Sequence, residues 1–153
     1  MTRTNAREIA LQILFTSLYN NSSAEELIDA RLDEAFLQSL ALVPELDAEM
    51  PDEAQLSYIR TVVKGVLEDS EALDAYIVRY LSGWKLERIS RVARAAMELA
   101  IYEILHVDDV PGGAAINEAV ALCKKYDEPS SASFVNGVLS SVLKEVGDHV
   151  SGN

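Results

Sequence analysis

Ser130-Ser-Ala-Ser-Phe-Val-Asn-Gly-Val-Leu-Ser-Ser-Val-Leu-Lys144 carries Asn136-Gly137 at its centre, a dipeptide that ordinarily signals the tip of a β-hairpin. A hairpin requires apolar residues that alternate on both flanks. Here Phe134 and Val135, Val138 and Leu139, Val142 and Leu143, then Val146 recur every three to four residues, which is the stripe of an amphipathic helix. Asn-Gly therefore lies inside a helix, where glycine costs roughly 1 kcal/mol relative to alanine. Ser131 or Ser133 is placed to cap the start of that helix. A glycine kept at such a cost predicts close approach by another backbone or a ligand.

Outward from this stretch, every segment has helical periodicity. Asn5-x-x-Glu8 has the capping-box pattern and leads into Ala6, Ile9, Ala10, Ile13 and Leu14. Ser23-x-x-Glu26 opens a second helix through Ile28, Leu32, Ala35, Phe36 and Leu40. Pro44 to Pro51 is an acidic linker. A third helix runs through Leu56, Ile59, Val63 and Val66, and a short fourth through Leu73 and Ile77 ends at Ser82-Gly83. Ser90 is positioned to cap a fifth through Val92, Ala95, Ala96, Leu99 and Tyr102. Val110-Pro-Gly-Gly113 reads as a loop, followed by a sixth helix with Ile116, Ala119, Val120 and Cys123 that stops before Asp127-Glu-Pro129. No strand-like alternation occurs. The expected fold is an all-α bundle of about seven helices, a single domain over residues 1–153.

At 153 residues and 49% hydrophobic content the chain is long enough to bury a core. No apolar run is long enough to span a bilayer, so no membrane is expected as a partner. The opening residues lack the apolar core and cleavage site of a signal peptide, and a single Cys123 suits a reducing compartment. These features predict a soluble cytoplasmic protein. The net charge of −12 opposes nucleic-acid binding, but its distribution is uneven. Residues 1–24 carry +1, residues 25–74 carry −11, and residues 75–153 carry −2. Both ends are therefore free to present local positive surface.

Catalytic and metal chemistry find no constellation. His106 and His149 have no partner at ligand spacing, so neither a metal nor another cofactor is expected. Cys123 sits on an apolar stripe and reads as a small buried hydrophobe rather than a nucleophile. Asp108-Asp109 reads as solvated surface, and Gly112-Gly113 lacks the strand, lysine and hydroxyl of a phosphate-binding loop. What remains is basic. Arg3 and Arg7 flank the first turn of the first helix, where unpaired N–H groups and the helix dipole also favour a phosphate. Two exposed arginines that merely solubilise a terminus would look the same. Lys124-Lys125 ends the sixth helix, where cations favour the dipole in any case. Phe134 suits either the core or a base-stacking platform. Lys85, Arg88, Arg91 and Arg94 form a second basic run, the last three on one helix face if that helix starts early.

These motifs collect into a family likeness. Ala6-Arg-Glu-Ile-Ala-Leu-Gln-Ile-Leu-Phe15, Trp84-Lys-Leu-Glu-Arg-Ile89, Leu99-Ala-Ile-Tyr-Glu-Ile104, Val110-Pro111, Ile116-Asn-Glu-Ala-Val120 and Phe134-Val-Asn-Gly-Val-Leu139 resemble, in order and spacing, the NusB family of bacterial transcription antitermination factors. The resemblance runs from about Ala6 to Leu143. It implies two packed helical subbundles that bind single-stranded boxA-type RNA of ribosomal leader transcripts. Binding occurs jointly with NusE, a ribosomal protein, within the antitermination complex of RNA polymerase. By the same resemblance Arg3, Arg7, Lys124, Lys125, Ser133 and Phe134 grip RNA, and Phe15 and Tyr19 face the protein partner. Asn136-Gly137 then serves close helix packing, with Asn136 bonded across an interface to Asn117 or Glu118.

Two departures lower the RNA affinity expected of the chain alone. The N-terminal arginine run is thinned by Thr4 and Asn5, and Glu98 stands where many relatives carry a basic residue. Self-association into a homodimer is left open. Two other readings also stay open at this level: a module like the N-terminal domain of ribosomal RNA cytosine methyltransferases, and an acidic adaptor that binds protein only.

Overall fold

The computed structural model describes residues 2–17, 23–31 and 52–147; these form helices joined by turns, with no strand among them. Seven α-helices follow in order: α1 (Arg3–Ser17), α2 (Ala24–Arg31), α3 (Glu53–Glu68), α4 (Ser70–Val78), α5 (Arg91–His106), α6 (Gly112–Tyr126) and α7 (Pro129–Val146). A single 3₁₀ turn, Leu86–Arg88, lies between α4 and α5. The all-helical expectation holds. The expected linker from Pro44 to Pro51 and the later part of the expected second helix, from Leu32 to Leu40, lie outside the described residues.

The chain divides into two compact units, Met1–Leu67 and Glu68–Asn153. In the first, α1 buries Ala6, Ile9, Ala10, Leu11, Ile13 and Leu14, α2 buries Leu27 and Ile28, and α3 buries Tyr58, Ile59, Val62, Val63 and Val66. The recurrence at three and four residues that defines each stripe is what puts these side chains on one face. Thr2 Oγ1 accepts from the Asn5 amide at 3.1 Å, so the cap of α1 is Thr2 and not the Asn5 of the apparent capping box. Ser23 caps α2 through the Glu26 amide at 3.2 Å, as its sequence predicts.

In the second unit α5 is buried on most of its circumference, including Ala95, Ala96, Met97, Leu99, Ala100, Ile101 and Ile104, and it packs against α4, α6 and α7. Small residues on α5 and α6, such as Ala96, Ala100, Ala115 and Ala119, suit that close packing. Ser90 caps α5 by accepting from the Ala93 amide at 3.1 Å, again as expected. The end of α4 is tied to α7 by Glu145, which accepts from Tyr80 Oη at 2.6 Å and pairs with Arg79.

Three local expectations are corrected. Gly112 and Gly113 belong to the first turn of α6, which starts behind Pro111. Proline 129 opens α7, so Ser131 and Ser133 lie inside that helix and neither caps it. The fixed φ of proline is already helical, and its missing N–H needs no acceptor at a first turn. The account of Gly137 also fails. Gly137 is exposed, and a Cβ built there would meet nothing within 4 Å. Asn136 and Asn117 are exposed too, while Glu118 is half-buried. No buried interface of these residues demands the glycine.

Candidate nucleic-acid interface

In the first unit the basic residues of α1 converge on Tyr58 of α3. The Arg3 guanidinium carbon stands 4.2 Å from the Tyr58 ring centroid, and that of Arg7 stands 5.7 Å from it. Arg3 Nε also donates to Gln55 Oε1 at 2.9 Å. Arginine stacks readily on an aromatic face, and the contact fixes a long side chain that would otherwise sample many rotamers. Arg3 is half-buried, but Arg7 is only 5% exposed. Burial of Arg7 thus sets aside the reading of two exposed arginines that merely solubilise a terminus: Arg7 packs near the Tyr58 ring, and Arg3 is the one of the two nearer water. Phe15 is half-buried on α1, and Tyr19 lies outside the described residues.

In the second unit a groove of about 500 Å³ is lined by side chains from two separate stretches of chain. The turn before α5 gives Trp84, Arg88 and Ile89, the start of α5 gives Ser90 and Ala93, and the α6–α7 connection with α7 gives Asp127, Glu128, Ser130, Ser131 and Phe134. Phe134 is half-buried at its wall, so it serves partly as core and partly as surface. Ser133, its neighbour, is exposed, as are Lys124 and Lys125 at the carbonyl end of α6. Lys125 Nζ lies 5.5 Å from the ring of Tyr126.

The acidic side of the groove is fixed by hydrogen bonds. Asp127 accepts from Ser90 Oγ and, at 2.8 Å, from the Glu128 amide. Burial alone raises the Asp127 carboxyl, but bonds from Ser90, the Glu128 amide and Ser131 outweigh it and hold the group below the usual carboxylate range. Cys123 is buried, and burial followed by the nearby Asp127 charge pushes its thiol up to about 11, which suits a packed hydrophobe and not a nucleophile.

The second basic run does not form one face. Arg88 belongs to the 3₁₀ turn and α5 starts only at Arg91. Arg94 is spent on Asp74 at 2.7 Å. Glu98, read as a surface charge opposing RNA, is turned inward as well: its side chain is 13% exposed beside Arg94 and Asp74. Trp84, conversely, is 63% exposed and had no functional reading from the sequence. The signal available there was a lone tryptophan between a helix-breaking glycine and a run of cations. Among the described residues no group of histidine, cysteine and acidic side chains is placed to hold a metal, and no helix is long and apolar enough to cross a membrane.

Seven helices among the described residues thus fall in two units, with cations beside aromatic rings in each. The family model of the NusB family matches residues 4–144, and the chain belongs to that family. It is 40% identical to the transcription antitermination protein NusB of Acetivibrio thermocellus over 144 residues, 94% of this chain and 90% of the relative. It is 34% identical to the protein of the same name from Clostridium botulinum over 145 residues, 94% of this chain and 100% of the relative. Among solved structures, T. maritima NusB superposes with a TM-score of 0.79 at 29% identity, covering 95% of this chain and 92% of that one. A structure of the antitermination factors NusB and NusE in complex with dsRNA shares the fold, with a TM-score of 0.73 at 24% identity, covering 94% and 96%.

Proposed function

We propose that this chain is a cytoplasmic transcription antitermination factor that binds single-stranded boxA-type RNA together with NusE and delivers both to RNA polymerase. The observation that carries this reading is the match to the NusB family over residues 4–144, nearly the whole chain. The chain works as one domain over residues 1–153 and as a regulator rather than a catalyst. Arg3, held over Tyr58, offers one phosphate contact, and Arg7 lies against the same ring. Lys124 and Lys125 offer others, and Ser133 and Phe134 in the first turns of α7 meet the bases. Phosphate contacts of this kind drive binding by releasing condensed counterions. Phe15 and Tyr19 face the protein partner.

The test is a titration of boxA-type RNA and a scrambled RNA of equal length into the chain, with and without NusE. Preference for the boxA-type strand in the presence of NusE is the expected result. Equal affinity for both strands, or no binding to either, overturns the reading.

A further inference from the structure

Trp84 is the only tryptophan of the chain and the most exposed large apolar side chain among the described residues. The backbone before it is held in an uncommon form. Ser82 has φ of 50° and Gly83 has φ of 90°, and the Trp84 amide closes the turn by donating to Leu81 O at 3.0 Å. The left-handed region is unfavourable for a residue that carries a Cβ. The fold thus accepts backbone strain and an exposed indole at one point. Two concavities meet there. One is the groove that contains Phe134, and the other is formed by Ser82, Gly83, Lys85 and Arg88, with Trp84 and Arg88 lining both.

Resting on the RNA-binding reading above, we propose that the groove is a nucleotide subsite: one base of the single strand enters it and stacks on Trp84, while Arg88 and Lys85 hold the adjoining phosphates. The charges sort the two parts of a nucleotide. Lys85 and Arg88 line the second concavity, whereas Asp127 and Glu128, far from Arg88 in sequence, line the groove from the α6–α7 connection. Those carboxylates exclude a phosphate and accept from donors. Asp127 is already fixed by Ser90 and the Glu128 amide, so it meets an incoming donor without reorganising. A base carrying an exocyclic amino group supplies that donor; uracil presents a carbonyl oxygen instead. The subsite therefore favours cytidine over uridine.

Because Trp84 is the sole tryptophan, its emission reports the site directly, with the Trp84→Phe protein as the blank for any signal from NusE. In the presence of NusE, boxA-type RNA is expected to quench Trp84. Stacking on an aromatic ring is worth roughly 1–3 kcal/mol per base, so Trp84→Ala should weaken RNA binding about 5- to 150-fold, with Trp84→Phe close to the parent. The denaturation midpoint of Trp84→Ala should match the parent, since the ring is exposed. Oligocytidine should bind more tightly than oligouridine, and Trp84→Ala should narrow the gap; the reverse order overturns the base-edge assignment. If the parent binds RNA while Trp84→Ala keeps full affinity and the emission is unmoved, the subsite is refuted and the RNA reading stands. If NusE alone moves the emission and Trp84→Ala loses NusE but not RNA, the groove takes a protein side chain and the proposal fails. Absence of RNA binding by the parent with NusE present defeats the underlying reading itself.

Discussion

Glu98 sits at a helical position that its sequence gives no reason to bury, yet it packs beside Asp74 and Arg94. Burial first, then the hydrogen bond and charge of Asp74, push its carboxyl up to about 9, with Arg94 opposing them. The folded state therefore holds a proton that the unfolded state gives up near pH 4.5. That raised value stabilises the fold fully below about pH 4.5, and the contribution is lost as pH rises towards about 9. The slope for one proton is at most about 1.4 kcal/mol per pH unit. Glu98→Gln, which cannot ionise and can still donate to Asp74, should remove that slope; urea midpoints of both proteins at acid and alkaline pH check it. At Gly137 the open space reverses the expected sign. Gly137→Ala should raise stability by roughly 0.5–1 kcal/mol through helix propensity alone, read from the denaturant midpoint. The two N-terminal arginines separate in the same way. Arg3→Ala should reduce the log–log salt slope of RNA binding by about one contact. Arg7→Ala should lower thermal stability instead, because it removes a buried guanidinium from the Tyr58 stack.

The α5 helix shows what a sequence reveals at the scale of an element. Its apolar period and its Ser90 cap are both local, and both were legible without coordinates. The cap at Thr2 and the start of α7 at Pro129 were not, because several neighbouring residues could serve and only backbone direction decides among them. The groove was less legible still. Trp84 and Ser90 are far in the chain from Asp127 and Phe134, and helix packing brings the two pairs together. Ser90 joins the local and the tertiary roles, since its hydroxyl accepts from Ala93 and donates to Asp127. Ser90→Ala should cost about 1 kcal/mol of stability for the lost cap. It should also release Asp127 and weaken RNA binding at the groove, whereas Ser90→Thr restores both. Denaturant midpoints and RNA titrations of the two variants separate the cap from the tie.

Across the whole molecule the charge of −12 sets a repulsive field against any polyanion, and salt screens it only in part. The acidity belongs to residues 25–74, while Arg3, Lys124 and Lys125 offer few phosphate contacts of their own. Counterion release from so few contacts does not offset the long-range repulsion. A basic ribosomal protein docked near Phe15, as proposed above, would neutralise part of that field and add contacts from its own surface. The acidic block then speeds encounter with that partner and disfavours stray nucleic acid. RNA added to the chain alone should bind weakly, and binding should vanish near physiological salt. With NusE present the affinity should rise at least about tenfold, a coupling of roughly 1.4 kcal/mol. Linkage makes the effect reciprocal, so boxA-type RNA should tighten NusE binding by the same factor. Calorimetric titration of each ligand with and without the other measures both arms. Unequal factors would point to a further equilibrium such as self-association, and equal RNA affinity with and without NusE would assign RNA recognition to this chain alone.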